Sequence, residues 1–397
     1  MAKDRSPLDF ARTPLRWQKF LRAVGASNAI GGRPARHPQS RLREVFEFGS
    51  NPGKLRMFTY LPPALADNPA LVVVLHGCTQ TAAGYDTGAG WSTLADRYGF
   101  ALLLPEQQRS NNPNGCFNWF LPEHSRRNHG EPLSIRQMIE KSVIDHGIDR
   151  HRIFVTGLSA GGAMTSIMLA CYPDVFAGGA IIAGLPYGAA TNVQQAFESM
   201  RKSSSRAPRE WGDVVRKASP HRGSWPRVSV WHGDADTTVV PSNALELLKQ
   251  WTDVHDLPLS SSKMTHVDGY PREVWLSKSG EELIEAYIIP NMAHGTPLAT
   301  GEAEGACGAP GPFLLPVGIS SSYRIAKFFG IASARTSADK KVELPRPSVL
   351  VAEAEPVLEG EILTGDGPRR QQGPKPHSPN IGAMINSALR AAGLIKE

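Results

Sequence analysis

The chain has no apolar stretch long enough to cross a membrane. No run of about eighteen apolar residues occurs among its 397 residues, so a transmembrane helix is not predicted. The basic N-terminus also lacks an uninterrupted apolar region followed by a small-residue cleavage site. We therefore predict no secretory signal and expect a cytoplasmic protein.

Cysteine is scarce, and its spacing excludes the usual zinc motifs. The four cysteines have neither C-x-x-C spacing nor histidines at ligand spacing: Cys78, Cys116, Cys171 and Cys307. Four thiols in a reducing compartment and two disulfides in a secreted protein are both compatible with this number. Without a predicted signal peptide, four thiols are favoured, and no metal site is expected.

The charge of the chain is concentrated at one end. Residues 1–44 carry a net charge of +7, whereas the whole chain carries +6. Such a basic arm is suited to an acidic surface such as phospholipid, although a solvated, flexible tail is the simpler interpretation. Specific nucleic-acid binding is not expected.

Composition divides the chain into four segments. Hydrophobic residues make up 41% and charged residues 20%, which is typical of a packed globular protein. After the arm at 1–44, residues 45–332 are long enough for one large α/β domain. Residues 333–379, rich in Pro, Glu, Gly and Gln, predict a disordered linker, and the apolar spacing in 380–397 predicts a short amphipathic helix.

Aliphatic strands and helical stretches alternate along the main domain. Continuous aliphatic runs of this kind are typical of a parallel sheet covered on both faces. The predicted strands lie at 70–75, 100–105, 153–156, 178–183, 227–232 and 286–290. Residues 106–134 are predicted to form a long, functional loop, and the polar residues 190–224 are predicted to form a segment that passes over the active site.

One serine stands in a motif that exposes its hydroxyl. A short strand at 153–156 is followed by Gly157-Leu-Ser159-Ala-Gly161 and then by an apolar run of helical length. The sharp strand-to-helix turn is crowded, so the positions two before and two after the serine must lack a Cβ. This pattern predicts the nucleophile elbow of an α/β-hydrolase, with Ser159 as the nucleophile.

A serine nucleophile needs a base and an acid, and the chain supplies both in the order typical of this fold. An aspartate follows the strand at 227–232, and His294 follows the strand at 286–290. Asp236 is favoured as the acid, with Asp234 as the alternative that holds the loop. His232 precedes the acid and would break the order of the triad, so it is not predicted as the base.

The tetrahedral intermediate of ester cleavage requires two N–H donors. We predict the amide of Ala160, directly after the nucleophile, and the amide of Cys78, in the loop after the strand at 70–75. Gly77 would let the backbone approach closely there. Cys78 as a second nucleophile is disfavoured, because no base is placed beside it.

These segments together resemble the polyhydroxybutyrate depolymerase family of esterases, relatives of feruloyl and acetylxylan esterases. The resemblance lies in LHGCTQT (75–81), CFNWF (116–120), GLSAGGAMT (157–165), YPDVFAGGA (172–180), HGDADTTVVP (232–241), AHGTPL (293–298), GEAEGACG (301–308) and GISSSYRIAKFFG (318–330). It implies an α/β-hydrolase fold and a serine carboxylesterase without a cofactor. It also assigns the triad to Ser159, Asp236 and His294.

The resemblance implies an ester substrate, for which we expect a 3-hydroxyalkanoate oligomer or polymer, or a small ester. Phe117 stands where the family usually has Trp, and no polymer-binding module is found, which favours an intracellular depolymerase or small-ester hydrolase. Asn118 and Trp119 are the candidates for substrate contact, with a core position as the alternative for Trp119.

Two other functions fit the same sequence. The first is a carbohydrate-ester esterase acting on feruloyl or acetylxylan esters. The second is a non-catalytic surface-binding protein on a hydrolase scaffold, which would attach to a granule or membrane through its basic arm and C-terminal helix. The intact set of Ser159, Asp236 and His294 argues against the second.

Overall fold

A ten-stranded sheet runs through the computed structural model, which describes residues 40–301 and 305–332. The strands of this sheet are β1 (Arg43–Val45), β2 (Arg56–Tyr60), β3 (Leu71–Leu75), β4 (Ala101–Glu106), β5 (Ile153–Leu158), β6 (Gly178–Ile182), β7 (Arg227–Gly233), β8 (Lys263–Val267), β9 (Tyr270–Leu276) and β10 (Glu282–Ile289). Their spatial order is β1-β2-β4-β3-β5-β6-β7-β10-β9-β8. A separate parallel pair joins β11 (Thr296–Leu298) and β12 (Leu314–Pro316).

The inner strands of the large sheet are parallel. From β4 to β10, each neighbouring pair in the spatial order runs in the same direction. The strands at both margins are antiparallel to their neighbours. Because carboxyl ends of parallel strands meet at one edge, the loops after β3, β5, β7 and β10 come together there.

Both faces of the sheet are covered, as the aliphatic runs predicted. All five residues of β3 are buried, although their side chains alternate between the two faces. Leu71, Val73 and Leu75 belong to one hydrophobic core, and Val72 and Val74 belong to the other. The predicted α/β architecture is therefore confirmed, with one core on each side of the sheet.

Helices connect the strands and cover these two cores. They are α1 (Ala82–Ala89), α2 (Trp91–Tyr98), α3 (Gly130–His146), α4 (Ala160–Cys171), α5 (Val193–Lys202), α6 (Pro208–Lys217), α7 (Ser242–Val254) and α8 (Ser321–Phe328). Within the described residues, no helix has the length and apolar character that crossing a bilayer requires.

Two regions differ from the sequence-based expectation. The loop predicted at 106–134 ends earlier, because α3 begins at Gly130. The polar segment 190–224, for which no elements were predicted, contains α5 and α6. Both helices carry apolar residues on one face at helical spacing, but polar and charged residues dominate their composition, which made them look like a polar excursion in the sequence.

The predictions for the chain ends lie outside the described residues. These predictions are most of the basic arm at 1–44, the linker at 333–379 and the helix at 380–397. They stay predictions.

Candidate active site

Ser159 lies in the turn between β5 and α4, in a backbone conformation that non-glycine residues rarely adopt. Its φ is 58° and its ψ is −114°. A Cβ added to Gly161 would lie 2.3 Å from the carbonyl oxygen of Leu75, and one added to Gly157 would lie 2.5 Å from the carbonyl of Gly161. The tight packing of backbone on backbone holds the strained turn in place.

His294 and Asp236 meet at the same edge of the sheet. The Nδ1 atom of His294 is 2.6 Å from Oδ2 of Asp236, and both side chains are buried. The other carboxylate oxygen accepts the N–H groups of Thr238 and Val239 at 2.8 and 2.9 Å. Because Nδ1 faces a carboxylate, it carries the proton, which leaves Nε2 as the basic nitrogen.

Asp234, the alternative acid, has a different partner. Its Oδ1 accepts the backbone N–H of Asn291 at 2.6 Å, and its side chain is exposed. It therefore joins the loop after β7 to the loop after β10. The structure brings Asp236, and not Asp234, to His294.

A second histidine also contacts Asp236. The Nε2 atom of His232 lies 2.8 Å from the carbonyl oxygen of Val239 and 3.4 Å from Oδ2 of Asp236. A carbonyl can only accept, so Nε2 of His232 carries the proton, while its Nδ1 has no partner in the described residues. Burial opposes ionisation of Asp236, but hydrogen bonds from His232 and His294 outweigh it and hold the pKa of the carboxyl well below its usual range.

Ser159 and His294 face one cleft, which we call the catalytic cleft. It is lined by Gly77, Cys78, Gln80, Leu158, Ser159, His294 and Phe313. Among the described residues, no hydrogen bond joins the Ser159 hydroxyl to the His294 ring. Contacts of this kind are often long without substrate and tighten in the reacting complex.

The amide of Cys78 is free at the position expected of an oxyanion donor. The neighbouring amides are used, since Gly77 N–H donates to Oε1 of Gln80 at 2.8 Å and Thr79 N–H donates to the Asn114 carbonyl at 2.7 Å. The N–H of Cys78 has no acceptor in the described part of the chain. Ala160 is the first residue of α4, at the positive end of the helix dipole.

The structure corrects the expectation for the cysteines. Cys78 and Cys116 form a disulfide, whereas Cys171 and Cys307 are buried thiols. The expectation of four thiols is therefore wrong, as is the alternative of two disulfides. The pair is 38 residues apart in sequence, and only the fold brings the two Cα atoms within 4.3 Å. In this disulfide Cys78 has no thiol, which excludes it as a second nucleophile.

An apolar pocket of about 490 Å³ opens beside Ser159. It is lined by Cys78, Cys116, Trp119, Phe120, Ser159, Ala160, Leu185, Val193, Ala196, Phe197, Met200 and Val239. Trp119 lines this pocket and is also largely buried in the hydrophobic core. The predicted substrate contact and the alternative core position are therefore both compatible with where it lies. The pocket is suited to the apolar half of an ester.

Asn118 does not line this pocket, contrary to its expected contact with substrate. Its Nδ2 donates to Oε1 of Glu131 at 2.8 Å, and its Oδ1 accepts from Asn112 at 3.0 Å. The side chain is directed into a buried polar network because that network uses both ends of the amide. Asn118 therefore supports the loop that carries Trp119.

Glu131 is the centre of this network, and the sequence analysis missed it. Its fully buried carboxylate accepts the N–H and Nδ2 of Asn118 and, at 2.6 Å, the Nε2 of Gln107. Burial, opposed by these hydrogen bonds, raises the pKa of Glu131 to about 7. The signal in the sequence was an acid in the first turn of a helix directly after a long loop.

The described residues contain no cluster of three or more His, Cys, Asp or Glu side chains arranged to hold a metal ion. The polar groups at the edge of the sheet are instead a hydroxyl, an imidazole, a carboxylate and two amides. Such a set is sufficient for acyl transfer through a serine ester.

Comparison with known proteins places the chain among esterases. A family model described as "Esterase PHB depolymerase" matches residues 55–258. Poly(3-hydroxyalkanoate) depolymerase C of Paucimonas lemoignei is 46% identical over 73% of this chain and 70% of its own length. Acetylxylan esterase of Coprinopsis cinerea is 34% identical over 66% of this chain and 70% of its own length.

A solved structure has the same fold. An acetyl xylan esterase from Aspergillus awamori superposes with a TM-score of 0.62 at 27% sequence identity. The match covers 73% of this chain and 99% of that protein. The sheet and its loops thus have the α/β-hydrolase arrangement that the sequence resemblance implied.

Proposed function

The chain belongs to the esterase PHB depolymerase family and is a serine carboxylic ester hydrolase, and from this premise we propose that it cleaves esters of 3-hydroxyalkanoic acids. The observation that carries the proposal is the arrangement at one edge of the sheet. There the Asp236–His294 pair and Ser159 lie beside an apolar pocket.

In the proposed reaction, the Ser159 oxygen attacks the ester carbonyl while Nε2 of His294 takes its proton. Asp236 holds the Nδ1 proton and stabilises the imidazolium. The amides of Cys78 and Ala160 stabilise the oxyanion of the tetrahedral intermediate. The bond between the carbonyl carbon and the alcohol oxygen then breaks, the leaving alcohol takes the proton from His294, and the acyl group stays on the Ser159 oxygen. Water then gives a proton to His294 and attacks this acyl ester, and the acid leaves as Ser159 takes the proton back.

The lining of the site supports an aliphatic acyl group. The apolar pocket beside Ser159 has a volume of about 490 Å³, and the side chains of Phe197 and Met200 form part of its wall. Its walls offer contact with methyl and methylene groups rather than hydrogen bonds to a sugar. The relative at 46% identity is named for poly(3-hydroxyalkanoate) as its substrate.

Replacing Ser159 with Ala tests the reaction. We expect hydrolysis of p-nitrophenyl butyrate and of a 3-hydroxybutyrate trimer to fall by at least about three orders of magnitude, because the nucleophile is lost. The melting temperature should not fall, and a fluorophosphonate probe should label the wild type only. Activity above a tenth of wild type in the variant would refute the assignment.

A carbohydrate-ester esterase is the second candidate. Acetylxylan esterases at about 34% identity and the Aspergillus awamori structure favour it. Purified enzyme should be compared on the 3-hydroxybutyrate trimer, methyl ferulate and acetylated xylan. If kcat/KM for either carbohydrate-type ester equals or exceeds that for the trimer, the carbohydrate-ester esterase becomes the preferred function.

We also retain as a proposal that the basic arm attaches the enzyme to an acidic surface. The charge of +7 in residues 1–44 supports it. Full-length protein should sediment with phosphatidylserine vesicles at low salt, and a chain lacking residues 1–39 should not. Equal sedimentation of the two proteins would refute surface binding through the arm.

The cytoplasmic location stays a prediction. The Cys78–Cys116 disulfide opposes it, because disulfides persist mainly in oxidising compartments. Cell fractionation with alkylation of free thiols before lysis decides the question. A cytoplasmic protein with four alkylated cysteines would agree with the sequence-based prediction, and a disulfide in an exported fraction would contradict it.

A further inference from the structure

A second, polar cleft lies beside the catalytic cleft. It is open to solvent and has a volume of about 640 Å³, and its lining includes Arg56, Gln80, Glu106, Gln108, Arg109 and Asn114. Its lining offers guanidinium, carboxamide and hydroxyl groups and the carboxylate of Glu106, in contrast to the apolar pocket beside Ser159. We call it the polar cleft.

Gln80 joins the two clefts. It lines both the catalytic cleft, together with Ser159 and His294, and the polar cleft. Its Oε1 is used by the N–H of Gly77, while its Nε2 has no acceptor in the described residues. A substrate that extends from Ser159 past Gln80 would therefore meet an available N–H donor where it enters the polar cleft.

The polar cleft has one positive charge that no described carboxylate neutralises. Arg56 pairs with Glu44 and with Glu106, both at 2.7 Å. Glu106 also accepts the N–H of Ala82 at 2.8 Å. Arg109 is exposed and forms neither an ion pair nor a hydrogen bond within residues 40–301 and 305–332. Its guanidinium is therefore available to an anionic ligand.

An ester bound at Ser159 has an acyl half and an alcohol half. The apolar pocket fits the acyl half, so the alcohol half extends toward Gln80. In an ester between two 3-hydroxyalkanoate units, the alcohol half is itself a hydroxy acid. If it is the last unit of the oligomer, it ends in a carboxylate, which a guanidinium binds well.

We propose that the polar cleft binds the alcohol half of the substrate and that Arg109 pairs with the terminal carboxylate of a 3-hydroxyalkanoate dimer or short oligomer. This inference rests on the proposed function. It predicts that the enzyme distinguishes an oligomer with a free acid end from the same oligomer with that end esterified.

The test compares the 3-hydroxybutyrate dimer as free acid with its methyl ester. Wild type should have the higher kcat/KM on the free acid. In Arg109→Ala the ratio of the two values should fall about tenfold, mainly through KM of the free acid, because a charge-assisted hydrogen bond is lost. Arg109→Lys should recover part of the ratio, since it restores the charge.

Arg209 provides the matched control. It is an exposed arginine on α6 that pairs with Asp213, and it does not line the polar cleft. Arg209→Ala should keep the wild-type ratio. In wild type, raising NaCl from 0.05 to about 1 M should lower the ratio through screening.

The outcomes separate this inference from the proposed function. An unchanged ratio in Arg109→Ala, with both dimers hydrolysed, would overturn the role of Arg109 and leave the proposed function intact. Hydrolysis of p-nitrophenyl butyrate without hydrolysis of either dimer by wild type would overturn the proposed substrate and this inference with it.

Discussion

Asp236 accepts hydrogen bonds from two backbone amides and from two histidines. His294 is the partner that a triad requires, whereas His232 is an addition at 3.4 Å. Because Nε2 of His232 is also bonded to the Val239 carbonyl, its ring is fixed in orientation. His232 is thus placed to hold the carboxylate in position for His294 without contacting substrate.

Substitution of His232 tests this positioning role. His232→Phe keeps a ring but removes the N–H, so we expect kcat to fall about ten- to a hundredfold with little change in KM. The acid limb of the kcat/KM profile should move to higher pH, because Asp236 loses one of the hydrogen bonds that hold its pKa low. His232→Gln, which can place an amide N–H near the former Nε2, should recover most of the activity.

The measurement is kcat and KM on p-nitrophenyl butyrate from pH 5 to 9, with the melting temperature of each variant. Equal loss in His232→Phe and His232→Gln, with an unshifted profile, would mean that His232 only fills space.

At the scale of elements, helix α5 forms one wall of the apolar pocket. Val193, Ala196, Phe197 and Met200 recur on one face of this helix and line the pocket. The opposite wall comes from the loop with Cys116 and Trp119, which the disulfide and Glu131 hold in place. The size of the acyl group accepted therefore depends on a surface helix and an anchored loop.

Shortening a side chain of α5 should change the preferred acyl length. In Phe197→Ala we expect the ratio of kcat/KM for p-nitrophenyl octanoate over butyrate to rise about tenfold, because the enlarged pocket gains contact with the longer chain. Phe46→Ala is the control, since Phe46 is 80% exposed and does not line the pocket. A ratio unchanged in both variants would show that the acyl chain lies elsewhere.

At the scale of the whole molecule, a buried acid makes stability depend on pH. Burial raises the pKa of Glu131 to about 7 from an ordinary value near 4.5. Between these values the folded protein keeps a proton that the unfolded chain has released. The free energy of unfolding contributed by this group is therefore largest below about pH 4.5 and decreases as the pH rises through 7.

Glu131→Gln isolates this contribution because the amide does not titrate. From pH 4.5 to 7.5 the wild type should lose about 3 kcal/mol of unfolding free energy that the variant does not lose. Urea denaturation of both proteins at several pH values in this range gives the unfolding free energy of each, and the two plots of this free energy against pH are then compared. Parallel pH profiles would contradict the raised pKa of Glu131.

Much of the site was predictable because local sequence reports local structure. The elbow at Ser159 needs glycines at fixed neighbouring positions, and the acid and histidine each follow an aliphatic strand. The direction of parallel strands then brings the three loops to one edge. Helices α5 and α6 were missed because polar and charged residues outnumber the few apolar residues that recur on one face of each helix.

The sequence by itself determined the buried strands of the inner sheet, the elbow and the chemistry of three side chains. Only the tertiary structure decided that Cys78 joins Cys116, that His232 supports Asp236, that Asn118 faces Glu131 rather than the pocket, and that Arg109 lines the polar cleft. A turn or strand is set by adjacent residues, whereas the Cys78–Cys116 pair, 38 residues apart, and the Asn118–Glu131 pair, 13 residues apart, depend on how the loops pack against the sheet. His232 is only four residues from Asp236, but the direction of its side chain depends on its place in the buried strand β7.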